Sequence, residues 1–238
     1  MIVLIASNNH KYFDNIHYDY NYIENTLVLL KSIDTIHKDE LVSIYLINYS
    51  NKDDSKFYTI HTNTIIQHLN KDGSNIEIRN FSAHLRAKVI YNEFKNKNVK
   101  YVLYLDTDTL IRKPLDELLN IDYSIPTIKI LTRGTQISNL KFQSAVFLIN
   151  NTKSTREMLA WWAVYIENNN KDTTIESWFA DQRGLYLATK KYKINIIKLD
   201  EIYNDQFFKD ISHIWHCKGK YHNNNWRKEY NEILHKIN

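Results

Sequence analysis

The chain is poor in the residues that punctuate or cross-link a fold: among 238 residues there are one cysteine, two prolines and four glycines. A single Cys217 excludes an intrachain disulfide framework and suits a reducing compartment. Scarce Pro and Gly argue against long flexible linkers. There is no run of about 18 apolar residues, the length a membrane-spanning helix requires. Met1-Ile2-Val3-Leu4-Ile5-Ala6 is too short for a signal-peptide core and turns polar at once, so it reads as a first strand. Strong charge of either sign is also missing. A net charge of +4, with Lys and Arg spread along the chain rather than gathered in a stripe, does not point to nucleic acid, but it is compatible with an anionic substrate. These absences together give an expected cytoplasmic location, or the host cytoplasm if the gene is viral or phage-borne.

What is present is ordinary globular composition, 43% hydrophobic and 24% charged, in a chain long enough for one α/β domain spanning 1–238. Its most informative stretch is Tyr101-Val102-Leu103-Tyr104-Leu105-Asp106-Thr107-Asp108-Thr109-Leu110-Ile111-Arg112-Lys113-Pro114. An apolar strand runs straight into two carboxylates spaced i, i+2, and a proline closes the segment. Two ionised carboxylates this close repel, which raises at least one pKa unless a cation sits between them. A divalent metal answers that repulsion, and oxygen ligands suit Mn²⁺ or Mg²⁺. Asp-x-Asp alone is equally a solvated turn or a helix cap; its context has to decide.

Around this stretch the pattern alternates strands and helices. Strands are predicted over 2–6, 41–47, 76–78, 123–131 (broken by Pro126), 142–150, 192–199 and 211–216. Helices are predicted over 20–33, with Ile23, Leu27, Leu30 and Ile33 on one face, and over 57–69, 81–96, 153–168, 174–188 and 226–237. A short helical turn falls at 115–119, Thr152 with its neighbours Asn150 and Asn151 caps the helix that follows, and 202–208 reads as irregular and aromatic. Strands and helices in this order imply a mostly parallel sheet.

The acid-bearing strand resembles the metal-binding strand of nucleotide-sugar glycosyltransferases of the GT-A fold, particularly the family-8-like retaining galactosyl- and glucosyltransferases. Further segments resemble that family in the same order along the chain. Phe142-Gln143-Ser144-Ala145-Val146-Phe147-Leu148-Ile149-Asn150 is similar to its second site strand, with Gln143 for Asn and Ala145 for Gly. Asp181-Gln182 is similar to its acidic-Gln pair. His216-Cys217-Lys218-Gly219 fits the first half of its closing His-x-x-Gly-x-x-Lys, although position 222 is His222 rather than Lys.

The resemblance implies an α/β GT-A (Rossmann-like) fold, a mostly parallel central sheet flanked by helices with a small antiparallel part. It also implies a donor site built from Ala6, Ser7 and Asn8 at the base, where the family usually has acids. Arg86, with Lys88 beside it, would reach the diphosphate or brace the acids; a guanidinium fork suits either task. Asp106, Asp108 and His216 would ligate the metal, with Thr107 between the acids. Gln143 and Ser144 would face the donor sugar, Gly219 with Lys218 or Lys220 would grip the diphosphate, and Asp181 and Gln182 would act at the sugar as the catalytic pair. The implied activity is metal-dependent transfer of a hexose from a nucleoside diphosphate sugar, expected to be a UDP-sugar, to a glycan or other hydroxyl acceptor, with retention. The helix over 226–237 is basic and aromatic and reads as C-terminal packing, with contact to an acceptor or a membrane surface as the alternatives.

Two other readings compete. Leu105-Asp106-Thr107-Asp108-Thr109-Leu110 also matches the haloacid-dehalogenase nucleophile pattern of a phosphohydrolase, in which the first Asp attacks phosphorus. That motif normally opens its domain and needs a later acid pair. A non-catalytic nucleotide- or sugar-binding domain with a decayed site would account for the missing Lys at 222 and the altered base loop, against the intact acids.

Overall fold

The apolar run that begins the chain forms strand β1, Ile2–Ser7, buried along its whole length. The computed structural model describes residues 1–7, 22–49, 54–73, 75–132, 142–169, 180–217 and 224–237. After β1 come helix α1 (Tyr22–His37), β2 (Val42–Ile47), α2 (Asp54–Ile60), β3 (Thr64–Leu69), α3 (Asn75–His84) and α4 (Arg86–Glu93). The acid-bearing strand is β4 (Tyr101–Asp106), followed by β5 (Thr109–Ile111), α5 (Asp116–Leu119), β6 (Thr127–Thr132) and β7 (Phe142–Asn150). Then come α6 (Lys153–Asn169), α7 (Ala180–Lys191), β8 (Asn195–Lys198), a 3₁₀ turn (Glu201–Tyr203), β9 (Ile214–His216) and α8 (Asn224–Leu234).

The main sheet has the order β3-β2-β1-β4-β7-β6-β8. β1 runs parallel to β2 and β4, β2 to β3 and β6 to β8, whereas β7 is antiparallel to both its neighbours. β5 and β9 make a separate antiparallel pair. This is the mostly parallel, helix-flanked sheet with a small antiparallel part that the motif order implied.

Alternation along the strands gives the sheet two apolar faces. Val3 and Ile5 of β1 and Val102 and Tyr104 of β4 pack on the side of α4 and α6, while Ile2, Leu4, Leu103 and Leu105 pack on the side of α1. By the same alternation Asp106, two residues after Tyr104, emerges on the α4 side. On β7 the alternation breaks: its register with β6 jumps from Ile130↔Phe147 to Leu131↔Gln143, so Ser144, Ala145 and Val146 are a bulge. Such a bulge re-aims side chains, and Ser144 here faces α4.

The structure corrects several predicted elements. The helix expected over 57–69 is α2 followed by β3: β-branched Thr64, Ile65 and Ile66 pair with Val42, Ser43 and Ile44 of β2, so sheet pairing overrides the weak helical pattern. The strand expected over 76–78 lies inside α3, where Ile78 and partly buried Phe81 face the core, with Leu85 just beyond the helix on the same side. The helix expected over 81–96 is split between α3 and α4 at Leu85. The strand expected over 192–199 starts late, since α7 runs to Lys191 and Lys193 takes a positive φ of 50°. The strand over 123–131 starts only after Pro126, which has no N–H to give a sheet. Of the helix expected over 174–188, residues 174–179 lie outside the described residues. α8 packs on α1, with Trp226 buried and the Tyr230 hydroxyl donating to Glu24 Oε1 at 2.6 Å.

Candidate active site

At the C-terminal end of β4 the chain leaves the sheet carrying Asp106, Thr107 and Asp108, and side chains from four other segments converge there. Arg86, in the first turn of α4, is buried and joins Asp106 to two of them. Its Nη2 donates to Asp106 Oδ1 at 2.8 Å, and its Nη1 donates to Ser144 Oγ at 2.7 Å and to Asp181 Oδ2 at 2.5 Å. Ser144 Oγ also donates to Asp181 Oδ2 at 3.1 Å. The guanidinium lies 5.1 Å from the Tyr104 ring centre, and the Tyr104 hydroxyl donates to Asp106 Oδ1 at 2.9 Å. Burial opposes the charge on Arg86, but Asp106 and the other acidic groups outweigh it and hold its pKa well above the ordinary value. Asp106 moves upward: burial raises its pKa and Asp108 adds to this, against Arg86 and His216. The part due to Asp108 is the like-charge repulsion expected of the acid pair, and it is second to burial.

Asp181 is placed by a close approach of α6 and α7. A Cβ on Gly184 would sit 2.7 Å from a ring carbon of Tyr165 and 2.8 Å from one of Trp162, so only glycine admits these rings. With α7 drawn in, Trp162 Nε1 donates to the Asp181 carbonyl at 2.8 Å. One residue on, the buried Gln182 Oε1 has no hydrogen-bond partner among the described residues.

His216 comes from β9, which pairs Thr109 of β5 with His216 itself. The Cys217 N–H donates to the Asp108 carbonyl at 2.8 Å, tying the two segments together. One ligand atom from each of Asp106, Asp108 and His216 lies within 4.8 Å of the others, and His216 Nε2 is 3.5 Å from Asp108 Oδ1. Carboxylate oxygens with one imidazole fit a divalent cation such as Mn²⁺ or Mg²⁺. On its far side, His216 Nδ1 meets Asn204 Oδ1 at 2.9 Å, and Asn204 Nδ2 donates to Gln143 Oε1 at 3.3 Å. Arg112 supports this corner, stacking 3.6 Å from the Trp215 ring centre and donating from Nε to both Glu229 oxygens at 2.9 Å.

Thus Arg86, Asp106, Asp108, Ser144, Asp181 and His216, which span much of the chain, are brought together, with Gln143 and Gln182 at the margin. Thr107 is buried between the acids. Lys88, two residues from Arg86 on α4, is exposed, and among the described residues it makes no hydrogen bond to these side chains. Ala6 packs into the core and offers no side-chain donor, leaving Ser7 at the end of β1 as the polar group there. Asn8, Lys218, Gly219 and Lys220 lie outside the described residues. No sequence signal marks Asn204 or Tyr104: one is a lone amide in an irregular segment, the other reads as core.

No family model matches the chain, and no curated protein matches it in sequence. Solved structures do match in fold. Galactosyltransferase LgtC, in complex with donor and acceptor sugar analogs, is similar at TM-score 0.66 and 16% identity, over 99% of this chain and 95% of that one. Glycosyltransferase GlyE of Streptococcus pneumoniae TIGR4 is similar at TM-score 0.60 and 16% identity, over 99% of this chain and 63% of that one. A glycosyltransferase involved in glycosylation of the major capsid of PBCV-1 is similar at TM-score 0.55 and 11% identity, over 98% of each. The chain therefore has the GT-A fold of glycosyltransferases. Among the described residues, no helix is long and apolar enough to cross a membrane.

Proposed function

We propose that this protein is a family-8-like glycosyltransferase of one domain, 1–238, acting in the cytoplasm. It transfers a hexose from a nucleoside diphosphate sugar, a UDP-sugar, to a hydroxyl of a glycan or other acceptor, with retention. The observation that carries the reading is the meeting of the Asp106, Asp108 and His216 ligand atoms with the Arg86–Asp181 pair at one end of a GT-A sheet.

Asp106, Asp108 and His216 would hold Mn²⁺ or Mg²⁺, which when bound supplies Lewis-acid charge to the donor phosphates. Arg86 acts as a brace: it neutralises Asp106 and Asp181 together and fixes their distance, so the donor meets a site already organised. Asp181 Oδ2 is filled by Arg86 and Ser144. A carboxylate so engaged is better suited to orienting a sugar hydroxyl or facing positive charge at the anomeric carbon than to deprotonating an acceptor, which supports retention. Gln182 Oε1 and Gln143 supply further polar contacts for the sugar. Lys218 or Lys220, with Gly219, would grip the diphosphate, and Ser7 and Asn8 the base.

A phosphohydrolase is not favoured. Asp106 would have to be its nucleophile, yet Asp106 Oδ1 accepts from both Arg86 and Tyr104, and its strand lies in the middle of the GT-A sheet.

The test is titration calorimetry with UDP, with and without Mn²⁺, on wild type and Asp108→Ala, followed by hydrolysis of UDP-sugars. Metal-dependent UDP binding that the substitution abolishes is expected. Binding of another nucleotide in place of UDP would move the donor assignment, and no nucleotide binding at all would overturn the reading.

A further inference from the structure

We infer that Asn204 is a positioning residue that holds the His216 ring in the tautomer able to take a cation, and links that ring to the sugar-side Gln143. The inference relies on the reading above only for the identity of the cation site; the tautomer is a property of the metal-free chain.

An imidazole beside two carboxylates has an obvious resting arrangement. A proton on Nε2 would donate to Asp108, whose Oδ1 is 3.5 Å away, and the lone pair would then face away from the acids. In that state the ring cannot ligate a metal between them. Asn204 opposes it. Its Oδ1, 2.9 Å from Nδ1, can only accept, so it requires the proton on Nδ1 and leaves the Nε2 lone pair facing Asp106 and Asp108.

The amide is buried and bonded on both sides. Asn204 is 2% exposed, its Nδ2 is engaged by Gln143 Oε1, and its N–H donates to the Glu201 carbonyl at 3.0 Å, closing the 3₁₀ turn. That turn is itself capped by Asp200, whose Oδ1 accepts from the Ile202 N–H at 3.0 Å. The backbone of His216 is held to the same segment, its N–H donating to the Asp205 carbonyl at 2.8 Å. Both partners of the Asn204–His216 bond therefore sit on one rigid frame. Through Gln143 the frame reaches the bulged strand that carries Ser144, so cation and sugar sides share one hydrogen-bonded chain.

The experiment uses the full chain with ¹⁵N-labelled histidine, metal-free, with the ring neutral. Long-range ¹H–¹⁵N correlation assigns the tautomer of His216, identified among the ten histidines by His216→Gln. Wild type and Asn204→Asp, which keeps an acceptor opposite Nδ1, are expected to show Nδ1–H, and Asn204→Leu to shift toward Nε2–H. Mn²⁺ titration should then show affinity within a few-fold of wild type for Asn204→Asp and about ten- to a hundred-fold weaker for Asn204→Leu. The remaining histidine signals report whether each variant is folded, and the wild-type tautomer needs no variant.

An Nε2–H ring in the wild type, an unchanged ring in folded Asn204→Leu, or a changed ring with unchanged Mn²⁺ affinity would overturn the inference. If wild type shows Nδ1–H but takes up no Mn²⁺, the positioning role stands and the glycosyltransferase metal site falls.

Discussion

Arg86 stands between two carboxylates that reach it from separate strands and helices, and the site depends on that one side chain having a planar fork. Lysine keeps the charge but satisfies a single partner at a time. Arg86→Lys should therefore fold and bind Mn²⁺, yet turn over UDP-sugar on the order of a hundredfold more slowly, measured as donor hydrolysis. Arg86→Ala goes further, leaving Asp106 and Asp181 buried without their counter-charge. It should cost about 3 kcal/mol in urea unfolding, more than loss of contact area alone would give. Near-wild-type stability of Arg86→Ala would mean that the carboxylates find other partners.

At the scale of elements, the close seam between α6 and α7 sets where Asp181 lies. Gly184→Ala should push the helices apart at Trp162 and Tyr165, cost about 1–3 kcal/mol in thermal or urea unfolding, and lower turnover by moving Asp181. At the other side of the sheet, α1 is tied by Asp34, which accepts from Lys31 at 3.0 Å and meets His61 at 3.3 Å. Partial burial pushes the Asp34 pKa up, but Lys31 and His61 outweigh it and the net shift is downward. A carboxylate depressed in the folded state adds stability above its unfolded pKa of about 4, and that stability is lost as pH falls through the folded value. Asp34→Asn should thus be less stable than wild type by up to about 1 kcal/mol at neutral pH, with the difference vanishing in acid.

The same elements show what could be read without coordinates. β1, β4 and β7 were legible because parallel and central strands are continuous apolar runs, and Asp106, Asp108, Asp181 and His216 were legible because each sits in a recognisable motif. The segment 57–69 was not: Thr64, Ile65 and Ile66 become a strand only because β2 offers them an edge. Ser144 faces Arg86 through a bulge that no alternation rule predicts, and charge alone does not tell that Arg86 is buried while Lys88, two residues on, is exposed. Asn204 carries no pattern at all; its role follows from a turn that brings it beside His216.

For the molecule as a whole, the cation site should act as a stabilising ligand site. With Mn²⁺ at a hundred times its dissociation constant, binding to the folded state alone adds about 2.7 kcal/mol. Differential scanning fluorimetry should show a rise in Tm with Mn²⁺ that EDTA reverses and that Asp108→Ala lacks. A shift surviving in Asp108→Ala would place the cation elsewhere.

The small β5–β9 pair joins Thr109 to His216, and Arg112 to Glu229 beyond it, across the whole second half of the chain. Contacts so distant in sequence form late, since the loop-closure entropy must be met before they return anything. A nascent or refolding chain can thus complete β1 to β4, with both acids in place, while having no third ligand. Until residue 216 docks, Asp106 and Asp108 lack the third candidate ligand, so cation uptake that needs all three should come only after that late contact forms.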